Sequence, residues 1–210
     1  MIATRIPEPV GYAEMRQRQQ QRWKQVAEEG AESTLFLLEH RPVITLGRNA
    51  SEAHLLHSRD ALAAMGIEVA ESDRGGDVTC HGPGQLVAYP IIRLDRWKPS
   101  VSQYLRGLEE VLIRVLADYG LQGGRLAGYT GVWVQGAKVA AIGVGVRKWT
   151  TYHGIALNVR PDMRLFQCIV PCGIADKPVT SLHLLLERPP AMQDVMTRFE
   201  GHFRDIFAGV

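Results

Sequence analysis

The chain has 210 residues, 46% of them hydrophobic, which suits one domain spanning 1–210 around a sizeable core. Lys and Arg number 24 against 22 Asp and Glu; a net charge of +2 without any basic block argues against a nucleic-acid partner. No N-terminal apolar run resembles a signal peptide, no stretch reaches membrane-spanning length, and three cysteines cannot all pair, so a reducing cytoplasmic setting is expected.

Tyr12 to Glu29 reads as a polar helix with an apolar stripe at Tyr12, Met15, Trp23 and Val26, stopped by Gly30. Thr34 to Leu38 and Val43 to Leu46 are strand candidates on either side of the His40-Arg41-Pro42 turn, and Gly47-Arg48-Asn49 breaks the second. A short helix over Arg59 to Met65 closes at Gly66, and Ile67 to Glu71 alternates as a half-wet strand should. Arg74 to Gly84 then crowds four glycines, a proline, Arg74 and His81 into eleven residues ahead of the apolar run Leu86 to Ile92. Glycine at that density is costly to order and is tolerated where backbone turns sharply or approaches a ligand, so the reading is a pocket-lining loop feeding a buried strand.

Ser100 to Tyr119 is the clearest helix, with an S-x-x-Q capping pattern at Ser100 and Gln103, an apolar face from Val101 to Leu116, and Gly120 as its C-cap. Strand candidates follow at Gly131 to Gln135, Lys138 to Val146 and Tyr152 to Val159, the first two close enough for a hairpin. Ala191 to Phe207 is the last helix, with Met192, Val195, Phe199, Phe203 and Ile206 on one side. Strands in runs with helices grouped between them favour an α+β domain, its mixed, largely antiparallel sheet flanked by helices.

Two residues draw attention as chemical groups. Cys172 lies between Pro171 and Gly173, an open turn, whereas Cys168 sits in an apolar run and reads as packing. A cysteine nucleophile works as the thiolate, which a histidine or a nearby ammonium can favour. Lys138 opens a small-residue strand, although a lysine at a hairpin end is ordinarily solvated surface. His81 is readable either as a donor to a reacting oxygen or as a pin for its loop. The pairs Cys80-His81, Cys168-x3-Cys172 and His54-x2-His57 lack the spacing of structural zinc, so no metal is expected.

The run R-G-G-D-V-T-C-H-G-P-G-Q-L-V-A-Y-P-I, Arg74 to Ile91, resembles the signature of the lipoyl(octanoyl) transferases, relatives of the lipoate and biotin protein ligases. Cys80 departs from that pattern, standing where an aromatic residue is common. The stretches G-A-K-V-A-A-I-G-V around Lys138 and P-C-G-I around Cys172 are similar to those that carry the family's catalytic lysine and acyl-accepting cysteine.

The resemblance implies the biotin/lipoate protein ligase fold, no cofactor, and a Cys172/Lys138 dyad that passes an octanoyl group through a cysteine thioester. It implies octanoyl-acyl carrier protein as donor and, as acceptors, lipoyl domains of 2-oxoacid dehydrogenases and the glycine cleavage H protein, the first step of endogenous lipoylation. It also implies an acyl pocket formed by Arg74, Gly75, Gly76, Asp77, Val78, Thr79, Cys80 and His81, with Ala141, Ile142, Gly143, Gly154, Ile155 and Ala156. The alternatives are an ATP-dependent lipoate or biotin ligase of the same fold and a non-catalytic acyl-binding adaptor. The P-C-G-I setting speaks against the first, and the joint presence of Cys172 and Lys138 against the second.

Overall fold

A computed structural model describes residues 1–170 and 177–210; Cys172 lies outside the described residues. A seven-stranded sheet carries the molecule. Its order is β1 (Ile2–Arg5), β2 (Thr34–Leu38), β6 (Gln85–Ile91), β10 (Thr150–Asn158), β9 (Ala137–Arg147), β8 (Tyr129–Val134) and β7 (Gly124–Leu126). A second sheet of three strands runs β4 (Glu68–Glu71), β3 (Val43–Leu46) and β5 (Val78–His81). Only β1–β2 and β3–β4 pair in parallel among these strands; every other pairing is antiparallel, as the strand runs in the sequence suggested.

Helices cover both faces of the large sheet. On one side α3 (Val101–Ala117) and α5 (Met192–Ile206) bury Tyr104, Leu108, Leu112, Phe199 and Phe203 in the main core. The α3 cap is half of the expected box: the Ser100 hydroxyl accepts from Gln103 N–H at 3.3 Å, while Ser100 N–H donates to the Lys98 carbonyl. On the other side α1 (Tyr12–Glu28) buries Tyr12, Met15 and Val26, with Gln19 taking a core position instead of the half-buried Trp23. Two shorter helices, α2 (Arg59–Ala64) and α4 (Leu182–Leu185), are also present among the described residues.

Two hairpins fix the central strands. Gln135 (φ 50°) and Gly136 (φ 80°) form the turn of β8–β9, and Lys148 (φ 49°) and Trp149 (φ 57°) that of β9–β10. Both central residues at positive φ match the strand twist, which is why a two-residue loop suffices. The register that results places Ala156 opposite Ala141, Ile155 opposite Ile142, Gly154 opposite Gly143 and His153 opposite Val144.

The glycine-rich run differs from its expected form. It is a loop from Arg74 to Asp77 and a turn from Gly82 to Gly84; between them Val78–His81 is strand β5, pairing antiparallel with β3. Val78 and Cys80 alternate inward and bury beside Ile44, Leu46 and Cys168, so period-two patterning wins over glycine content there. The strand leads through Gly84, whose carbonyl accepts from the N–H groups of Val159 and Arg160. Gly84 has φ 86°, and a Cβ there would stand 2.0 Å from the Arg160 carbonyl oxygen. Gly84→Ala therefore faces both a backbone penalty and a collision, and is expected to lose about 3 kcal/mol of stability in urea unfolding. A loss below about 1 kcal/mol would mean that this junction is not constrained.

Candidate active site

A narrow cavity opens between the two sheets. Lys138, the loop 74–77, alternate residues of β5 and the facing triplets of β9 and β10 line it. Of the pocket residues expected from sequence, all reach this cavity except Val78 and Cys80, which point into the core of the small sheet. Cys80 thus leaves the pocket shape alone: it is 1% exposed, and burial raises its thiol pKa well above the ordinary range.

Small residues let the walls meet. A Cβ on Gly143 would lie 2.9 Å from the Gly75 carbonyl oxygen, and Gly75 N–H donates to the Val144 carbonyl at 3.0 Å, so the loop docks directly on β9. The Gly47-Arg48-Asn49 turn clasps the loop from behind: these three N–H groups donate to the carbonyls of Asp77, Arg74 and Gly76 at 3.1–3.3 Å. Arg74 is 7% exposed; its Nε donates to Thr45 Oγ1 at 3.0 Å and its Nη2 to the Thr45 carbonyl at 2.6 Å. That guanidinium ties the loop to β3.

Lys138 is held by its backbone. Its N–H donates to the Pro178 carbonyl at 2.8 Å, and Thr180 N–H donates to the Lys138 carbonyl at 2.9 Å. Its side chain runs over β8, with Nζ 5.5 Å from the centroid of the Trp133 ring. Gly131 makes that path possible, since a Cβ there would stand 2.8 Å from Lys138 Cε. Before position 172 the chain is anchored by Leu56 N–H to the Cys168 carbonyl at 2.9 Å and Val170 N–H to the His54 carbonyl at 2.9 Å. Cys168 is buried, in line with its packing role.

A buried polar relay settles the state of His81. Asn158 Nδ2 donates to the Thr180 carbonyl at 2.9 Å, so its Oδ1 accepts from Gln85 Nε2, also at 2.9 Å. Gln85 Oε1 consequently faces His81 Nδ1 at 2.7 Å, which makes Nδ1 the protonated nitrogen of a neutral ring. Burial, with His40 nearby, lowers the His81 pKa to about 3. His40 is neutral for the same first reason, its pKa lowered to about 4; its ring nitrogens lie 2.9 Å from the Val10 carbonyl and 2.9 Å from Tyr89 Oη. A neutral His81 keeps Nε2 as an acceptor, so the oxyanion-donor reading does not hold for it in this tautomer.

Tyr12, Tyr89 and His153 also line the cavity, and sequence reasoning missed all three as well as Gly131. They come from α1, β6 and β10, far apart in the chain, and no local pattern marks them. Arg147, Lys148 and Arg164 are engaged by local partners. Arg147 stacks over Trp23 at 5.1 Å, Lys148 pairs with Glu28 at 2.8 Å, and Arg164 pairs with Asp162 at 2.6 Å.

Both histidines have folded pKa values below that of the unfolded chain. Above pH 7 they leave stability unchanged; as pH falls below about 6.5 the unfolded chain takes up protons that the fold refuses, and stability drops until about pH 4 for His40 and 3 for His81. Each contributes a slope of up to about 1.4 kcal/mol per pH unit in that window. Urea midpoints measured from pH 7 to 4.5 should fall steadily, and His40→Gln should flatten the slope; an equal slope in both proteins would show that His40 is not held neutral.

Comparison with known proteins agrees with this geometry. Residues 12–204 match the family model of the lipoyl protein ligase A/B catalytic domain. An octanoyltransferase of Chloroflexus aurantiacus is 54% identical over 178 residues, covering 83% of this chain and 80% of the relative. One from Nitratidesulfovibrio vulgaris is 48% identical over 200 residues, covering 95% and 91%. Among solved structures, a lipoate-protein ligase A bound with ATP superposes with a TM-score of 0.79 at 16% identity, covering 98% of this chain and 85% of that one, a likeness of fold. The chain belongs to the lipoyl protein ligase A/B catalytic-domain family.

Proposed function

We propose that the chain is an octanoyltransferase of protein lipoylation: an acyltransferase that moves an octanoyl group from a thioester donor to a lysine of a lipoyl domain. The ATP-dependent ligase reading is not favoured, because relatives at about half identity over most of the chain carry the transferase name. The single observation that supports the chemistry is the backbone pairing of Lys138 with residues 178–180, a few positions beyond Cys172.

The cycle balances on two groups. In the resting pair the Lys138 ammonium stabilises the Cys172 thiolate. The thiolate attacks the octanoyl carbonyl; a carbon–sulfur bond to Cys172 forms, the donor's carbon–sulfur bond breaks, and the departing thiolate takes a proton from Lys138. One thioester replaces another, so no nucleotide is consumed. Neutral Lys138 then takes a proton from the acceptor ε-amine as that amine attacks the acyl-enzyme. The carbon–nitrogen bond forms, Cys172 leaves as thiolate, and the ion pair is restored. Amide formation drives the sequence forward.

We assign the donor as octanoyl-acyl carrier protein, the acceptors as the lipoyl domains of 2-oxoacid dehydrogenases and the glycine cleavage H protein, and the setting as cytoplasm. No described helix is long and apolar enough to cross a membrane. Gly75 N–H is taken by the Val144 carbonyl, so of the expected oxyanion donors the backbone N–H groups of Gly76 and of Cys172-Gly173 remain candidates.

Intact mass spectrometry after mixing with octanoyl carrier protein, without ATP, tests the reading. One octanoyl adduct is expected on the wild type and none on Cys172→Ser. Lys138→Ala should slow onward transfer by about 100-fold or more. Adduct formation that requires ATP, or that persists in Cys172→Ser, would overturn the assignment.

A further inference from the structure

We propose that the His153 ring is the end wall of the acyl chamber and sets the length of acyl chain accepted, an inference that rests on the acyl-transfer reading above. His153 lines the catalytic cavity and also a second one, open to solvent, between α1 and the outer end of β9 and β10. It is the one described residue that lines both spaces. Beyond it stand the aromatic rings of Trp23 and Tyr152.

The ring is held rigidly for such a role. Its Nε2 lies 3.0 Å from Asp73 Oδ1, and the rings of Tyr89 and Tyr152 pack against it, edge-on and tilted, with centroids 6.2 and 5.1 Å away. The backbone is in the left-handed region at φ 56°, and His153 N–H donates to the buried Gln19 Oε1 at 2.8 Å. Glycine would occupy that conformation without strain, so a side chain here is present against a backbone cost. The next pair along the two strands carries none: Gly143 faces Gly154.

Dimensions agree with a stop for a medium chain. Val144, the cross-strand partner of His153, lies six residues beyond Lys138 on β9, roughly 20 Å at the usual rise per residue. An extended eight-carbon chain covers roughly 9 Å, given bonds of about 1.5 Å. That leaves room at the Lys138 end for the lysine side chain and the thioester. A sixteen-carbon chain of roughly 19 Å would need the whole span.

The test offers the protein equimolar saturated acyl thioesters of eight, ten, twelve and fourteen carbons, reads self-acylation by intact mass, and measures binding of the free fatty acids by calorimetry. Calorimetry needs no transfer, so loss of acylation with ordinary binding would count against the transferase reading and leave the wall intact. In the wild type, affinity should climb with each methylene to about eight to ten carbons and then stop. In His153→Gly, which suits the left-handed backbone, the twelve-to-eight ratio in both measurements should rise at least tenfold; His153→Asn should move it part of the way. A wild-type affinity that keeps rising through fourteen carbons, or an unchanged ratio in a variant that melts cooperatively, would overturn the proposal.

Discussion

Two backbone hydrogen bonds, Lys138 N–H to the Pro178 carbonyl and Thr180 N–H to the Lys138 carbonyl, hold together the parts of the chain on which the site depends. Lys138 sits on β9, in the middle of the large sheet, whereas Pro178 to Thr180 follow the P-C-G-I segment that contains Cys172. Pairing a strand edge with that return leg costs little beyond ordinary ladder geometry and sets which side chain meets the segment. The Asn158 amide extends the clamp: it donates to the Thr180 carbonyl and, through Gln85, orients His81. The same few residues thus position a lysine, a chain segment and an imidazole tautomer.

The pocket follows from how little side chain its walls contain. Gly75, Gly143 and Gly154 bring backbone against backbone, and Gly131 clears the path of the lysine. The titratable groups along the cavity are hydrogen-bonded or neutral. Arg74 spends its guanidinium on Thr45 and the Gly75 carbonyl, and His40 and His81 remain neutral inside the fold. At the far end Asp73, with a carboxyl pKa lowered to about 2 chiefly by its hydrogen bond to His153, completes the polar boundary. A narrow apolar channel between a lysine and a pinned imidazole suits a fatty chain of defined length.

Much of this was legible in the sequence because the signals were local. The apolar stripe of α3, the Ser100 cap, the glycine stop at Gly30 and the short β8–β9 turn each depend on residues a few positions apart. The loop at 74–77 and the two triplets were legible as a pattern, yet the same glycine count concealed β5, whose inward Val78 and Cys80 belong to a core formed by distant strands. Strand β1, only four residues long and partly exposed, carries no period that a sequence would reveal. Tyr12 and His153 matter because tertiary packing brings them to one cavity, and Gly131 because its strand lies beside the Lys138 side chain; nothing within a few residues of any of them says so.

The central claim is electrostatic: a cation at Lys138 lowers the cost of a thiolate at Cys172. Rates of iodoacetamide alkylation against pH measure it directly, since Cys80 and Cys168 are both buried with raised thiol pKa values. In the wild type the midpoint for Cys172 should lie below the ordinary thiol value of about 8.5, and Lys138→Met should raise it by about one unit or more. The same midpoint in both proteins would contradict the account.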